Sequence, residues 1–168
     1  MIDLTKIQFV PSPNFYAGRP QKITHIVIHA MAGYYRSTID VTFKKSGGYS
    51  AHYCISKQGD ITQMVKLNDR AKHVVNFNSP SIGIELEDGG KDTSGKFINC
   101  QTDPNWVTDQ ELLACAELTA SLMNLYNIPM ANVIGHNDPF LRKLGNTHTD
   151  PDKYFPWNKF RQLINQSM

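Results

Sequence analysis

Three residues of this chain, His29, His136 and Asp150, have the chemical types of ligands for a catalytic metal ion. His29 follows the apolar run Ile26–Ile28, His136 follows Val133–Gly135, and Asp150 precedes an aromatic stretch that contains proline. Two imidazoles and one carboxylate leave a tetrahedral zinc ion with one open position, which is the mark of a catalytic rather than a structural site. Water at such a position has a pKa of about 7 and supplies hydroxide at neutral pH.

Taken one at a time, these residues and Glu85 also have ordinary structural interpretations. A single histidine at a strand end, such as His29, is more often structural, and His136 is ambiguous by itself. Glu85 interrupts an apolar run, and a buried carboxylate costs several kcal/mol unless a partner or a reaction uses it. Glu87 shares the face of Glu85 but lies nearer the following polar segment, so we expect Glu87 to be solvated.

The composition is that of a globular protein with one domain. A chain of 168 residues can bury a core without disulfides, and 40% hydrophobic and 19% charged residues are ordinary values for such a protein. The net charge of +2 gives no reason to expect a nucleic acid partner. No apolar run reaches the length of about 18 residues that membrane insertion requires.

The first residues and the cysteines indicate the compartment in which the chain is made. Residues 1–6 lack the basic and apolar segments of a signal peptide, so we expect synthesis in the cytoplasm without a signal sequence. Three cysteines are an odd number without paired spacing, which argues against a disulfide framework. We expect Cys54 and Cys115 to be small core residues.

Alternating strand and helix patterns predict an α/β fold, with one domain over residues 1–168 and a central mixed β-sheet flanked by helices. The predicted strands are 23–29, the hairpin 51–55 with 61–65, 81–87 and 132–134. The predicted helices are 37–45, begun by Ser37, 108–126, begun by a capping box of Thr108 and Glu111, and 157–166. Residues 1–21 are predicted to form an irregular arm, and residues 88–107 a polar surface loop.

Five segments, in the order in which they occur, resemble the zinc-dependent N-acetylmuramoyl-L-alanine amidases of the type 2 amidase and peptidoglycan-recognition fold. Many phage endolysins and bacterial wall-recycling amidases belong to this family. The resemblance extends from about residue 22 to the end of the chain. The segments that carry it are 26–29 (IVIH), 50–55 (SAHYCI), 81–87 (SIGIELE), 133–138 (VIGHND), and 149–151 (TDP) with 155–157 (FPW).

The resemblance implies that His29, His136 and Asp150 bind Zn²⁺, and that Glu85 is the catalytic glutamate. It also implies that His148 acts in catalysis, either by donating a hydrogen bond to the oxyanion or by orienting Asp150. The implied substrate is peptidoglycan or its muropeptides. The implied reaction cleaves the amide between N-acetylmuramic acid and L-alanine.

The chain departs from the family pattern at several positions. Asp152 replaces the usual glycine after Asp150-Pro151, which makes Asp152 a rival metal ligand. Ala51 stands where some phage members have a catalytic tyrosine, so the general-base role depends more heavily on Glu85. Lys72 replaces the tryptophan of a tryptophan-histidine segment that lines the family's groove.

The resemblance also implies roles for the other histidines and for two asparagines. It suggests substrate contact for His73, with Asn76 and Asn78 beside it in the groove. A packed or hydrogen-bonded structural role is expected for His25, and a structural role for His52.

The sequence leaves room for functions of other classes. A non-catalytic peptidoglycan-binding module is one alternative, although such modules typically lose a zinc ligand and this chain keeps all three positions. The chain lacks the His-x-Glu and Pro-Cys-x-x-Cys pattern of zinc deaminases, and it lacks the His-Glu-x-x-His pattern of zincin proteases. We expect a monomer that acts on the bacterial cell wall as an endolysin. A cytoplasmic muropeptide-recycling amidase and a secreted antibacterial effector are the alternatives.

Overall fold

The computed structural model describes residues 1–168 as an α/β fold built on one six-stranded mixed sheet, which confirms the predicted fold class. The ten strands are β1 (Gln8–Phe9), β2 (Phe15–Tyr16), β3 (His25–Ala30), β4 (Tyr53–Ile55), β5 (Ile61–Gln63), β6 (Arg70–Ala71), β7 (Ser81–Leu86), β8 (Gly90–Lys91), β9 (Phe97–Ile98) and β10 (Val133–Gly135). The order in the large sheet is β1-β5-β4-β7-β3-β10. All neighbours are parallel except the predicted hairpin β4–β5.

Four α-helices surround this sheet, and three 3₁₀ turns connect elements. The helices are α1 (Tyr35–Asp40), α2 (Asp109–Tyr126), α3 (Pro139–Lys143) and α4 (Trp157–Ser167). The 3₁₀ turns are Leu4–Lys6, Thr42–Lys44 and Met130–Asn132. None of the helices combines the length and the apolar character needed to cross a bilayer.

The two faces of the sheet have different chemistry, because successive side chains of a strand point to opposite faces. On one face, Ile26 and Ile28 of β3 and Ile82 and Ile84 of β7 join a core cluster of 21 buried residues, to which α2 and α4 contribute. On the other face lie the alternate residues of the same strands, including His29 and Glu85. The alternation predicted for residues 81–87 is therefore confirmed, and it gives the sheet one apolar and one polar face.

The first helix begins two residues earlier than predicted, and its capping group comes from elsewhere in the chain. Ser37 was predicted to begin the helix, which is wrong: its hydroxyl donates to the Tyr34 carbonyl oxygen, from within the helix. The amide of Tyr35 instead donates to Glu87 Oε1 at 2.9 Å, and the amide of Lys57 donates to Glu87 Oε2 at 2.9 Å. Glu87 is therefore buried and hydrogen-bonded rather than solvated, which corrects the expectation for this residue.

The segments predicted to be irregular contain short strands. Within residues 1–21, β1 adds an edge strand to the large sheet beside β5, and β2 pairs with β6. Within residues 88–107, β8 and β9 form a hairpin, and Trp106 is buried in the core. The three cysteines are free and buried, in agreement with the absence of a disulfide framework.

The start of α2 shows one half of the predicted capping box. Thr108 Oγ1 accepts from the amide of Glu111 at 3.1 Å, as predicted. The Glu111 side chain is fully buried, and neither of its carboxylate oxygens has a hydrogen-bond partner. Burial raises the pKa of Glu111 to about 8, against the opposing effect of the Lys57 ammonium. The folded protein therefore holds a proton on Glu111 that the unfolded chain releases near pH 4.5.

The pKa of Glu111 is higher in the folded protein than in the unfolded chain, so Glu111 should make the protein less stable as the pH rises from 5 to 8. In that range the unfolded state binds fewer protons at this site, so the free energy of unfolding falls by up to about 1.4 kcal/mol per pH unit. Glu111→Gln, which cannot ionise, should remove that contribution. Urea unfolding of both proteins at pH 5 and pH 8 measures the difference, and parallel pH dependences would contradict the prediction.

Candidate metal centre

The three predicted ligands meet at one edge of the sheet, where the parallel strands β3, β7 and β10 end. His29 is the penultimate residue of β3, and His136 follows β10 directly. The amide of His136 donates to the Ile28 carbonyl oxygen at 3.1 Å, so the ladder between the two strands continues to this residue. Asp150 comes from the loop before α4, and its carbonyl oxygen accepts from the amide of Asn137 at 2.9 Å. Backbone hydrogen bonds therefore hold all three residues in place.

The three side chains present one potential ligand atom each to a common point. His29 Nδ1 lies 3.1 Å from His136 Nδ1 and 3.3 Å from Asp150 Oδ2, and His136 Nδ1 lies 3.2 Å from Asp150 Oδ1. Ligand atoms at zinc distances of about 2.0–2.2 Å in tetrahedral geometry are separated by roughly 3.3–3.6 Å. The observed separations are close to this range, so the donor set fits a zinc ion in both chemistry and spacing.

Hydrogen bonds to Asn146 fix which nitrogen of His136 faces this point. The Asn146 amide nitrogen donates to the carbonyl oxygens of Val75 and Leu141, and Asn146 Oδ1 accepts from the amide of Val75. His136 Nε2 lies 3.3 Å from the same Oδ1, so this nitrogen donates. Neutral His136 therefore presents the lone pair of Nδ1 to the carboxylate of Asp150. His136 Nδ1 and Asp150 Oδ1 both carry lone pairs, so at their separation of 3.2 Å they repel each other unless a cation lies between them.

The surroundings favour neutral imidazole beside ionised carboxylate, which are the protonation states that bind metals. Burial lowers the pKa of His29 to about 4, although the negative charge of the nearby Asp150 carboxylate favours protonation. Burial opposes ionisation of Asp150, but the positive charge that His136 and His29 would carry when protonated lowers the pKa of Asp150 below its usual range. Only 16% of the Asp150 side chain is exposed, against 61% of His148, so the site opens to solvent on the side of these two residues.

Glu85 lies next to this centre because β3 and β7 are parallel neighbours in register. His29 and Glu85 are directly paired in that ladder, so their side chains project from the same face of the sheet. Glu85 Oε2 is buried and has no hydrogen-bond partner. Burial raises the pKa of Glu85 well above its usual value, and the carboxylates of Asp150 and Asp88 raise it further. An unpaired carboxyl group with a raised pKa beside a metal site is suited to proton transfer.

His148 lies at the edge of the centre's exposed side. Its ring stacks on that of His136 with centroids 4.3 Å apart and planes 15° apart. His148 Nδ1 lies 3.6 Å from Asp150 Oδ1, which is longer than a hydrogen bond. The ring of His148 is therefore held by stacking, and its nitrogens remain available to another group.

The predicted substrate contact of His73 stays a prediction, and in this structure the residue is buried against the candidate ligand His29. It is 8% exposed, and its ring lies beneath His29, with Nδ1 3.0 Å from His29 Nε2. His73 Nε2 lies 3.2 Å from Ser81 Oγ. Burial lowers the pKa of His73 well below its usual value, and neighbouring His29 and His52 add to this effect. The structure brings His73 into contact with a candidate ligand rather than with the surface.

The other polar candidates have structural contacts. His25 packs edge-on against Phe77, with centroids 4.9 Å apart, and His52 is fully buried, with Nδ1 accepting from the amide of Gly83. Both agree with the structural roles expected for them. Asn78 Oδ1 accepts from the amides of His73 and Val74, so it shapes the local turn.

The rival ligand Asp152 is not one of the three convergent groups. Its Oδ1 accepts from the amide of Lys153 at 2.6 Å, and its φ of 64° lies in the left-handed region. The three groups that come within 4.8 Å of one another are those of His29, His136 and Asp150.

Sequence reasoning missed Asn146, Ser81 and Asp88. Asn146 orients His136, Ser81 contacts His73, and Asp88 accepts from the amides of Gly33 and Cys100. A short polar residue in a turn or at a strand end carries no spacing signal of its own. Burial was the property that would have distinguished these three residues, and it follows from the tertiary structure.

Comparison with known proteins agrees with this geometry. A sequence model of the Amidase_2 family, described as N-acetylmuramoyl-L-alanine amidase, matches residues 19–153. N-acetylmuramoyl-L-alanine amidase A of Achromobacter lyticus is 28% identical over 162 residues, which cover 92% of this chain and 90% of that protein. The 1,6-anhydro-N-acetylmuramyl-L-alanine amidase AmpD of Salmonella typhimurium is 36% identical over 68% of this chain and 57% of that protein.

The fold has solved counterparts as well. The crystal structure of a selenomethionine derivative of AmpD superposes with a TM-score of 0.71 and 26% sequence identity, covering 98% of this chain and 99% of that one. The family match covers most of the chain and includes His29, Glu85, His136 and Asp150. This chain belongs to the N-acetylmuramoyl-L-alanine amidase family.

Proposed function

We propose that this protein is a zinc-dependent amidase that hydrolyses the bond between N-acetylmuramic acid and L-alanine in peptidoglycan. The observation that carries the proposal is the convergence of His29 Nδ1, His136 Nδ1 and an Asp150 carboxylate oxygen at separations of 3.1–3.3 Å. These residues would hold the ion and leave one position open. When bound, zinc supplies Lewis acidity, which polarises a carbonyl and lowers the pKa of water to about 7.

Glu85 is the proton carrier in this proposal. Its carboxylate would take a proton from the attacking water and deliver it to the nitrogen of the departing L-alanine. The unpaired, buried Oε2 supports this role, and burial raises the pKa of Glu85 above that of an ordinary carboxyl group, which makes its carboxylate a stronger proton acceptor. Glu85 is paired with His29 in the β3–β7 ladder, so its side chain projects from the same face of the sheet as that candidate ligand, which supports the role.

His148 is assigned to the oxyanion that develops on the scissile carbonyl. The alternative, orientation of Asp150, is less well supported, since the 3.6 Å separation between His148 Nδ1 and Asp150 Oδ1 exceeds a hydrogen bond. The side chain is 61% exposed at the open side of the centre, where a substrate would enter. Loss of one oxyanion donor commonly costs about 10²–10³ in rate.

The proposed substrate is polymeric peptidoglycan, as in a wall-lysing endolysin. The centre is open on the His148 side, which supports access by a polymer chain. A soluble 1,6-anhydro-muropeptide is the second candidate, and the 36% identity to the AmpD amidase of Salmonella typhimurium favours it.

The test of the function is mass spectrometry of peptidoglycan digested with zinc-loaded protein and with chelator-treated protein. We expect free stem peptides that begin at L-alanine, released only by the zinc-loaded sample. A parallel digestion of soluble anhydro-muropeptides identifies the preferred substrate by the ratio of kcat/KM values. An intact wall with the protein sedimenting beside it in both samples would identify a non-catalytic binding module and overturn the proposal.

The ligand set makes a separate prediction. His29→Ala, His136→Ala and Asp150→Ala should each abolish both stoichiometric zinc and activity, because each removes one of three protein ligands. Asp152→Ala is the matched control and should retain both. Zinc content after dialysis, measured by inductively coupled plasma mass spectrometry, decides between the two aspartates. Loss of zinc in the Asp152 variant alone would show that the assignment to Asp150 is mistaken.

Removal of the Glu85 carboxylate should separate metal binding from catalysis. Glu85→Ala, and the nearly isosteric Glu85→Gln, should keep one zinc per chain and lower kcat by about 10²–10⁴, the usual contribution of a general base. Zinc content and the initial rate of muropeptide hydrolysis are measured on the same samples. A Gln variant with wild-type kcat would exclude Glu85 as the base.

A further inference from the structure

A chain of hydrogen bonds runs from the candidate ligand His29 into the protein interior. His29 Nε2 lies 3.0 Å from His73 Nδ1, and His73 Nε2 lies 3.2 Å from Ser81 Oγ. The hydroxyl of Ser81 donates to the carbonyl oxygen of Phe77 at 2.5 Å. The side chains of the residues joined by these hydrogen bonds are all buried, so no solvent molecule competes for the bonds.

The carbonyl oxygen of Phe77 lies at the inner end of this series of hydrogen bonds and fixes the direction of each of them. The Phe77 oxygen can only accept, so the Ser81 hydroxyl hydrogen is committed to it and Ser81 Oγ accepts from His73 Nε2. A neutral imidazole has one N–H, so His73 Nδ1 accepts from His29 Nε2. Neutral His29 then has a bare Nδ1, and this atom is the one that faces His136 and Asp150.

The ring of His73 is also held in place by its packing. A Cβ at Gly83 would lie 2.6 Å from His73 Nδ1 and 2.7 Å from His73 Cγ, so the ring lies directly against the backbone of β7. Asn78 Oδ1 accepts from the amide of His73 at 2.9 Å and holds its backbone. Glycine at position 83 thus provides the space in which the imidazole meets His29.

We infer that His73 is a positioning residue for the metal centre, which fixes the Nε2–H tautomer of His29 so that its Nδ1 lone pair is directed at the ion. This inference rests on the zinc site of the proposed function and deepens it. Hydrogen-bond partners of metal-binding histidines typically contribute about 10–100-fold to metal affinity. His73 acts through His29 and makes no contact with the substrate.

The test compares two substitutions of similar shape at His73. His73→Leu removes the acceptor for His29 Nε2 and should weaken zinc affinity about 10–100-fold. His73→Asn can place an acceptor oxygen near the position of Nδ1 and should bind zinc more tightly than His73→Leu does. Affinity is measured on folded protein by competition with a chromophoric chelator, and the absorption spectrum of the Co²⁺ form reports the ligand geometry.

His52→Leu provides the matched control. His52 is as buried as His73, and its ring centroid lies 5.6 Å from that of His73, but no hydrogen bond joins it to His29. The control should lower the thermal midpoint and leave zinc affinity within about threefold of the wild type, because it removes packing and a hydrogen bond to the Gly83 amide but no hydrogen bond to His29. Equal losses of affinity in His52→Leu and His73→Leu would reduce His73 to a packing residue and overturn the inference.

Two further variants keep the inference testable if His73→Leu fails to fold. Ser81→Ala removes the acceptor of His73 Nε2–H, and Gly83→Ala displaces the ring, so both should weaken zinc affinity although neither residue contacts the ion. Wild-type affinity in both variants would overturn the inference. Failure of the proposed function is distinguishable, since the wild-type protein itself would then bind no zinc or release no stem peptide.

Discussion

The parallel register of β3 and β7 is the constraint on which the site depends. That register pairs His29 with Glu85, and it places Ile28 and Ile84 together on the opposite face. A shift by one residue would exchange the two faces of a strand and move its polar residues into the apolar core. The buried isoleucines that stabilise the sheet therefore also determine where the histidine and the glutamate lie.

The polar face of the sheet buries several histidines without leaving them unpaired. His29, His52, His73 and His136 are each less than 9% exposed, and each makes a hydrogen bond through at least one ring nitrogen. An unsatisfied buried polar group costs about 1–3 kcal/mol, which explains why the surrounding loops supply partners such as Asn146. Glu85 Oε2 is the exception on this face, and it lies where a reaction would use a free carboxylate oxygen.

The contacts of Glu87 connect the stability of the sheet to the shape of the site. Its two oxygens bind the amides of Tyr35 and Lys57, so one side chain joins α1 and the turn after β4 to the end of β7. Asp88, the next residue, binds the amides of Gly33 and Cys100 in the same way. Two consecutive carboxylates after β7 therefore fix the loops around the reactive edge, while Glu85 remains free of such contacts.

The sequence by itself determined the α/β fold, the alternation of residues 81–87, the hairpin of β4 and β5, and the identity of the three convergent groups His29, His136 and Asp150. The fold, the alternation and the hairpin follow from local periodicity, which is a property of short segments. The three groups were predicted from their residue types together with the resemblance of five segments to the amidase family. Only the tertiary structure decided that Glu87 caps α1, that residues 8–9 complete the sheet, and that His73 lies beneath His29. Those features depend on partners far away in the chain, such as Lys57 for Glu87 and His29 for His73, and on the burial that folding creates. Physical contact between distant segments leaves no period in the sequence, so the positions around the ligands could be found only in three dimensions.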